Sequence, residues 1–276
     1  MHPDAALYIN DDDSQFQEKA KTVGILATQN EDVRSLRETV VFGCKGISAY
    51  AHHAAMLGFE KKEVYDQLIE SMASVTEDLS VDDMVGIVMK TGENAVAIMA
   101  LLDEANTSTY GHPEIAEVNI GVGTNPGILV SGHDLRELHE LLIQTEGKGI
   151  DVYTHSEMLP ANYYPELKKF NHLKGNYGSS WWHQNKDFET FNGAILMTTN
   201  CVIPIKKINT YEDRIFTTGA AGYPGSIHIA DRKNGAAKDF SSVIEKAKQC
   251  SPQRKLKQEK SWADSLTIRF WLSPTR

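Results

Sequence analysis

Residues 121–142 read GVGTNPGILVSGHDLRELHELL, residues 147–161 read GKGIDVYTHSEMLPA, and residues 193–201 read GAILMTTNC. Each stretch contains a short run of Ile, Leu, Val or Tyr bounded by glycine or by small polar residues, the pattern of a strand buried in a parallel sheet. After the first run, LRELHELL repeats leucine at helical spacing, and Asp134 occupies the position of a helix N-cap. Strand, helix and strand in that order make a βαβ unit, and in an open sheet of this kind ligands bind beyond the carboxyl ends of the strands. Three residues with metal-binding chemistry stand just past those ends: His133, Glu157 and Cys201. Taken singly, His133 reads as a loop or capping residue, Glu157 as an exposed acid with His155 as a rival ligand, and Cys201 as a buried thiol. Together they form a mixed set of imidazole, carboxylate and thiolate, which suits iron.

Working outward, residues 127–130, 150–154, 194–198 and 214–218 are predicted strands, with 118–122 as the first half of a broken strand. Residues 135–146, 185–191 and 239–248 are predicted helices, and an aromatic loop is expected over 163–182. Upstream the texture is helical: 30–58, 62–76, a third helix opening at Ser80-Val81-Asp82-Asp83, and a fourth over 95–105. Asp11 to Asp13 can cap a short helix carrying Phe16, Ala20 and Val23. The expected fold class is α/β: a helical N-terminal layer followed by a Rossmann-like parallel α/β domain. The expected division is 1–112 helical, 113–251 α/β with the ligand candidates, and 252–276 an atypical tail. GVGTNPG at 121–127 weakly suggests a phosphate loop, although neither GxGxxG nor GxxxxGK[ST] is spelled. His52 and His53, adjacent on a helix, point about 100° apart and read as surface or packing residues, not ligands.

The chain of 276 residues is 41% hydrophobic and 24% charged, a globular balance with a sizeable core. Its net charge of −9 argues against nucleic acid or an anionic membrane as partner, because both attract basic surfaces. No uninterrupted apolar run approaches the roughly 18 residues of a membrane span, and the start MHPDAALYINDDDSQ is too acidic and polar for a secretory signal. A cytoplasmic location is expected. Cys44, Cys201 and Cys250 are odd in number and widely spaced, which excludes a disulfide framework. A whole iron–sulfur cluster held by one chain normally takes about four thiolates, so any cluster here needs other ligand types or ligands from outside this chain.

The stretches NEDVRSLRETVVFGCKGISAYAHHAAMLG, LLDEANTSTYGHPEI, VNIGVGTNPGILVSGHDLRELHELLIQTEGKGIDVYTHSEMLPA, GNYGSSWW, ILMTTNC and DRIFTTGAAGYPG resemble the hybrid cluster protein family, also called hydroxylamine reductases. The resemblance runs from about residue 20 to 250. It implies a soluble, cytoplasmic redox enzyme with a helical domain and two α/β domains, one ordinary iron–sulfur cluster and one hybrid iron–sulfur–oxygen cluster. By motif, the histidine of SGHDL is His133, the glutamate of THSEMLPA is Glu157 and the cysteine of TTNC is Cys201, and all three resemble hybrid-cluster ligands. The implied substrate is a small nitrogen oxide: hydroxylamine reduced to ammonia and water, or nitric oxide to nitrous oxide, with a redox protein as electron donor. A carbon monoxide dehydrogenase-like fragment and a non-catalytic truncated α/β domain are the alternatives.

The departures from the family are as specific. The N-terminal cysteine set of the ordinary cluster is missing, so the resemblance implies that the family's ordinary cluster is not ligated by this chain. The resemblance also implies further cysteines, one bearing a persulfide, together with a glutamate and a lysine in a third domain. Cys44 and Cys250 match no ligand motif. Residues 252–276, PQRKLKQEKSWADSLTIRFWLSPTR, hold six Lys/Arg against two acids and two of the four tryptophans, unlike the acidic body. Permissible codons for the residues after Arg254, read one base earlier, spell EIETGKIVGGFAHNPVLAL, which resembles the family's continuation. A reading-frame change near Gln253 is the expectation, leaving a partial ligand set.

Overall fold

The molecule, a computed structural model, is described here over residues 8–199, 201–233 and 235–253. The basic tail from residue 254 onward lies outside the described residues. The chain divides into two compact units between Asn106 and Thr107.

In the first unit, α1 (Asp13–Val23) is capped by Asp12, whose carboxylate accepts from Ser14 N at 2.8 Å. α2 (Glu31–Met56) is capped by Asn30, and α3 (Lys62–Ser74) follows. Residues Val81–Tyr110 form α4, whose last four residues belong to the second unit; it is opened by a reciprocal box in which Ser80 Oγ accepts from Asp83 N at 3.2 Å and Asp83 Oδ2 accepts from Ser80 N at 3.4 Å. The third and fourth helices expected from sequence are therefore one. Gly86 and Gly92 between them cost about 1 kcal/mol each relative to alanine, and burial on both sides outweighs that. Met84 packs with Val33, Val40 and Cys44, while Ile98, Leu101 and Ala105 pack with Ile47, Ala51, Ala54 and Val64. Cys44 is thus a core residue. α4 is also long and apolar enough, by length and composition, to cross a membrane, so the sequence-based exclusion of any such segment was too strict. Its buried face belongs to these two helical clusters.

The second unit is a doubly wound sheet. Its elements are β1 (Gly127–Ser131), α5 (Leu135–Thr145), β2 (Asp151–His155), α6 (Pro165–Lys168), β3 (Leu173–Asn176), α7 (Gln184–Thr190), β4 (Gly193–Met197), β5 (Ile215–Thr218), β6 (Ile227–Ile229) and α8 (Ser241–Gln249). All six strands are parallel, in the order β3-β2-β1-β4-β5-β6, so the α/β expectation holds. β1, β2 and β4 are buried along their whole length, as their apolar runs require. Leu129, Tyr153, Ile195, Met197, Phe188 and Phe191 form the core on one face, and α8 packs against β1 and β4.

Two edge strands were not legible in sequence. β3 carries Lys174 and Asn176 and lay hidden in the expected aromatic loop; β6 is only Ile227–Ile229. Conversely, residues 118–122 form no strand. Asn119 instead hands its carbonyl to Asn176 N at 2.9 Å, close against Gly175, where φ is +134° and a Cβ would run into that carbonyl. The glycine-rich 121–127 loop lies at the amino ends of the strands. Several of its amides serve the protein itself: Gly121 N donates to Asn119 Oδ1 at 2.9 Å, Gly123 N donates to the Tyr153 hydroxyl at 2.8 Å, and Asn125 donates to the buried Asp151 carboxylate from N at 3.3 Å and Nδ2 at 3.1 Å. These bonds agree with the poor match of this loop to a phosphate-binding fingerprint.

Candidate functional site

Register brings the three ligand candidates to one edge of the sheet. Ser131, the last residue of β1, pairs with His155 at the end of β2 and with Met197 at the end of β4. The three strands therefore end level. Because the chain leaves β1 for β2 on one side while β4 flanks β1 on the other, the topological switch point, where doubly wound sheets bind ligands, falls between β1 and β4. His133 follows β1, Glu157 follows β2 and Cys201 follows β4.

The β1 and β4 loops cross in contact. Thr198 N donates to Ser131 O at 2.9 Å, its hydroxyl donates to the same carbonyl at 3.1 Å, and the hydroxyl accepts from Asp134 N at 3.4 Å. Gly132 makes the crossing possible: at φ +112° a Cβ would meet Thr198 Oγ1, Thr199 Oγ1 at 2.7 Å and Thr199 N at 2.8 Å. His133 is thereby set over Thr199, with Nδ1 at 2.8 Å from Thr199 Oγ1.

Burial sets His155 apart from Glu157. His155 is fully buried, with Nδ1 at 3.0 Å from Ser131 Oγ and Nε2 at 3.4 Å from Asp187 Oδ2. Both ring nitrogens are occupied by the protein. Burial pushes the Asp187 carboxyl up, but hydrogen bonds from His155 and Ser179 outweigh it and hold the group below the ordinary aspartate range. Although it contains Ser, His and Asp, this trio lies inside the sheet edge without access to a substrate, and it braces β1, β2 and α7.

Among the described residues only two non-glycines have positive φ: Ser156 at +52° and Cys201 at +74°. One directly precedes Glu157 and the other is the candidate thiol. Such conformations cost on the order of 1–3 kcal/mol and persist where the surroundings over-determine them. At Cys201 the determinant is the buried Gln184, whose Nε2 donates to Cys201 O and whose Oε1 accepts from Ile203 N at 3.0 Å. Burial raises the Cys201 thiol above its usual value, and the negative charge of Glu157 raises it further, so the two side chains sense each other. The thiol is protonated at neutral pH unless a cation arrives to favour the thiolate. No group of three or more His, Cys, Asp or Glu side chains among the described residues is gathered closely enough to hold a metal. The three candidates share a sheet edge without forming a closed ligand set.

A charged cluster unanticipated from sequence lies behind them. Glu137, in the first turn of α5, is 1% exposed. It lies 2.6 Å from Lys238 Nζ and accepts from Thr218 Oγ1 at 3.1 Å, while among the described residues Oε2 has no hydrogen-bond partner. Burial, and then the negative charge of Asp134, push Glu137 up to about 7 despite Lys238. Arg232 clamps Glu140 beside it, with Nε at 3.0 Å from Oε1 and Nη2 at 2.9 Å from Oε2. The only local signal was Asp134-x-x-Glu137, which reads as a capping box. Asp134 does accept from Glu137 N at 2.9 Å, but the Glu137 carboxylate turns to β5 instead of back to the cap.

The Prismane/CO dehydrogenase family matches residues 4–267. Over 252 residues the chain is 66% identical to a hydroxylamine reductase of Desulfosudis oleivorans, covering 91% of this chain and 46% of that protein. It is 64% identical over 250 residues to a hydroxylamine reductase of Nitratidesulfovibrio vulgaris, covering 91% and 45% of the two chains. A third, from Clostridium novyi, is 59% identical over 248 residues, covering 90% and 45%. The chain spans a little under half the length of these curated relatives.

Proposed function

Since the chain belongs to the Prismane/CO dehydrogenase family, we propose that it is part of a hydroxylamine reductase-type oxidoreductase and contributes one wall of a hybrid iron–sulfur–oxygen cluster site. The enzyme is soluble and cytoplasmic. His133, Glu157 and Cys201 are the ligands from this wall; the remaining ligands lie in the part of the relatives that the chain does not span, and the family's ordinary iron–sulfur cluster is not ligated here. The observation that supports this reading above others is the placement of an imidazole, a carboxylate and a thiol just past three level strand ends, with both strained non-glycine residues at the same edge. The donor chemistry fits iron.

The overall reaction takes hydroxylamine, two electrons and two protons to ammonia and water, or else reduces nitric oxide to nitrous oxide. Electrons come from a partner redox protein. When bound, the iron centre supplies Lewis acidity toward the substrate nitrogen or oxygen and a path for electrons. This chain's residues hold the wall rigid. Thr198 and Gly132 lock the β1 and β4 loops together, Gln184 holds the Cys201 backbone, and the Ser131–His155–Asp187 trio braces the strand ends beneath Glu157. Glu137 keeps a titratable proton within the first turn after β1.

Anaerobic loading with iron and sulfide, followed by iron assay and EPR, tests the reading. Iron retention is expected to fall in His133→Ala and Cys201→Ala, and the chain alone is expected to show neither a complete hybrid-cluster signature nor hydroxylamine turnover. Equal iron retention in wild type and both variants overturns the ligand assignment. A complete cluster signal in the chain alone overturns the claim that further ligands are needed.

A further inference from the structure

We infer that Thr199 is the positioning residue for His133: its hydroxyl accepts a hydrogen bond from His133 Nδ1–H, holding the ring in the tautomer that presents Nε2 as the metal-binding nitrogen. The inference rests on the reading of His133 as a ligand and deepens it.

Two separate features of the chain carry it. The first is direct geometry: Nδ1 and Oγ1 are 2.8 Å apart, well inside hydrogen-bond range. The second is the construction that brings them together. Nothing in sequence spacing links residues 133 and 199. They meet because Ser131 and Met197 are register partners, because Thr198 stitches its amide and hydroxyl to Ser131 O, and because Gly132 lacks the Cβ that would strike Thr199 N and Oγ1. The left-handed φ of Gly132 then turns His133 back over the threonine. A glycine in that conformation, an amide-and-hydroxyl clip and a side-chain contact all specify one approach.

The chemistry gives the contact a purpose. Neutral imidazole carries one proton, and the nitrogen without it is the one that can bind a metal. Histidine ligands generally donate their other N–H to a partner, which fixes tautomer and ring orientation, and loss of that partner typically weakens metal binding by 10–100-fold. Carboxylates and carbonyls are the usual partners. A hydroxyl can do the same while remaining neutral, so the acceptor adds no formal charge beside Glu157 and the Cys201 thiol. The adjacent Thr198 hydroxyl is already committed to Ser131 O, which leaves Thr199 as the member of the Thr-Thr pair that serves the ring.

The test begins with the chain as it stands. Long-range 1H–15N correlation NMR on the neutral imidazole of His133 reports which nitrogen carries the proton. The Nδ1–H form is expected to predominate in wild type and in Thr199→Ser, which keeps the hydroxyl, and to lose its advantage in Thr199→Val, which keeps the shape. A predominantly Nε2–H ring in wild type, or the same tautomer ratio in Thr199→Val, overturns the inference. Cobalt(II) titration, followed by its visible absorption, separates this from the ligand assignment. Thr199→Val is expected to weaken cobalt binding roughly 10–100-fold, Thr199→Ser to restore it, and the double variant with His133→Ala to be no weaker than His133→Ala alone. If His133→Ala leaves cobalt binding unchanged, the ligand reading falls and the inference with it. If His133→Ala weakens binding and Thr199→Val does not, the ligand reading stands and the positioning role is refuted.

Discussion

Replacing Glu137 by glutamine tests which force governs the buried cluster behind the strand ends. The carboxyl is 1% exposed and 2.6 Å from Lys238 Nζ, so a strong ion pair would pull its pKa down. Burial and the nearby Asp134 charge instead raise it from 4.5 to about 7. In linkage terms the folded state holds the proton more tightly than the unfolded chain, so stability is greatest below the unfolded pKa and declines as pH rises through the folded one. With 1.36 kcal/mol per pKa unit, a rise from 4.5 to about 7 amounts to a loss on the order of 3 kcal/mol between those pH values. Glutamine cannot ionise, so this decline disappears in Glu137→Gln. The assay is urea denaturation at about pH 5 and about pH 8 for both proteins, with hydrogen exchange of β1 and β4 amides reporting the opening of the sheet. The variant's stability relative to wild type is expected to improve by about 3 kcal/mol from the acid to the alkaline condition. A difference independent of pH, or one that moves against the variant as pH rises, would show that Lys238 stabilises the ionised carboxylate more than burial penalises it, and would refute the reasoning.

Three further outcomes follow from the strand-end geometry. Gly132→Ala is expected to destabilise the sheet by roughly 2–5 kcal/mol, since the left-handed conformation and forced overpacking each add a penalty; a loss under about 1 kcal/mol in urea denaturation would contradict the crossing described here. Gln184→Ala removes the clamp on Cys201 O and should accelerate iodoacetamide modification of Cys201, quantified by peptide mass spectrometry against the buried Cys44 as internal control. Glu157→Gln removes the negative charge that raises the Cys201 thiol, so the pH profile of the same modification should move to lower pH while burial keeps it above that of an exposed thiol. An unmoved profile would mean that Glu157 and Cys201 do not share the site.

Much of this protein is legible in one dimension. The buried strands announce themselves as apolar runs too continuous for a half-exposed sheet, and the helices as periodic faces behind Asp12, Asn30, Ser80 and Asp134, because strand burial and helix capping are settled by residues within a few positions of each other. Lys174 and Asn176 conceal β3 for the same reason: an edge strand needs no apolar alternation, and its identity comes from the partner it pairs with. His133 and Cys201 could be named from the sequence as the first metal-binding side chains past their strands, and Glu157 only with His155 as a rival. What only the tertiary structure decided is what surrounds them. Strand order and register set the β1 and β4 ends side by side, which brings Thr199 under His133. The same arrangement occupies both nitrogens of His155 and joins Glu137 to Lys238. Hydrogen bonds and buried charges act over a few ångströms in space irrespective of distance along the chain, so their pairings are set by the fold and are invisible until the strands are in register.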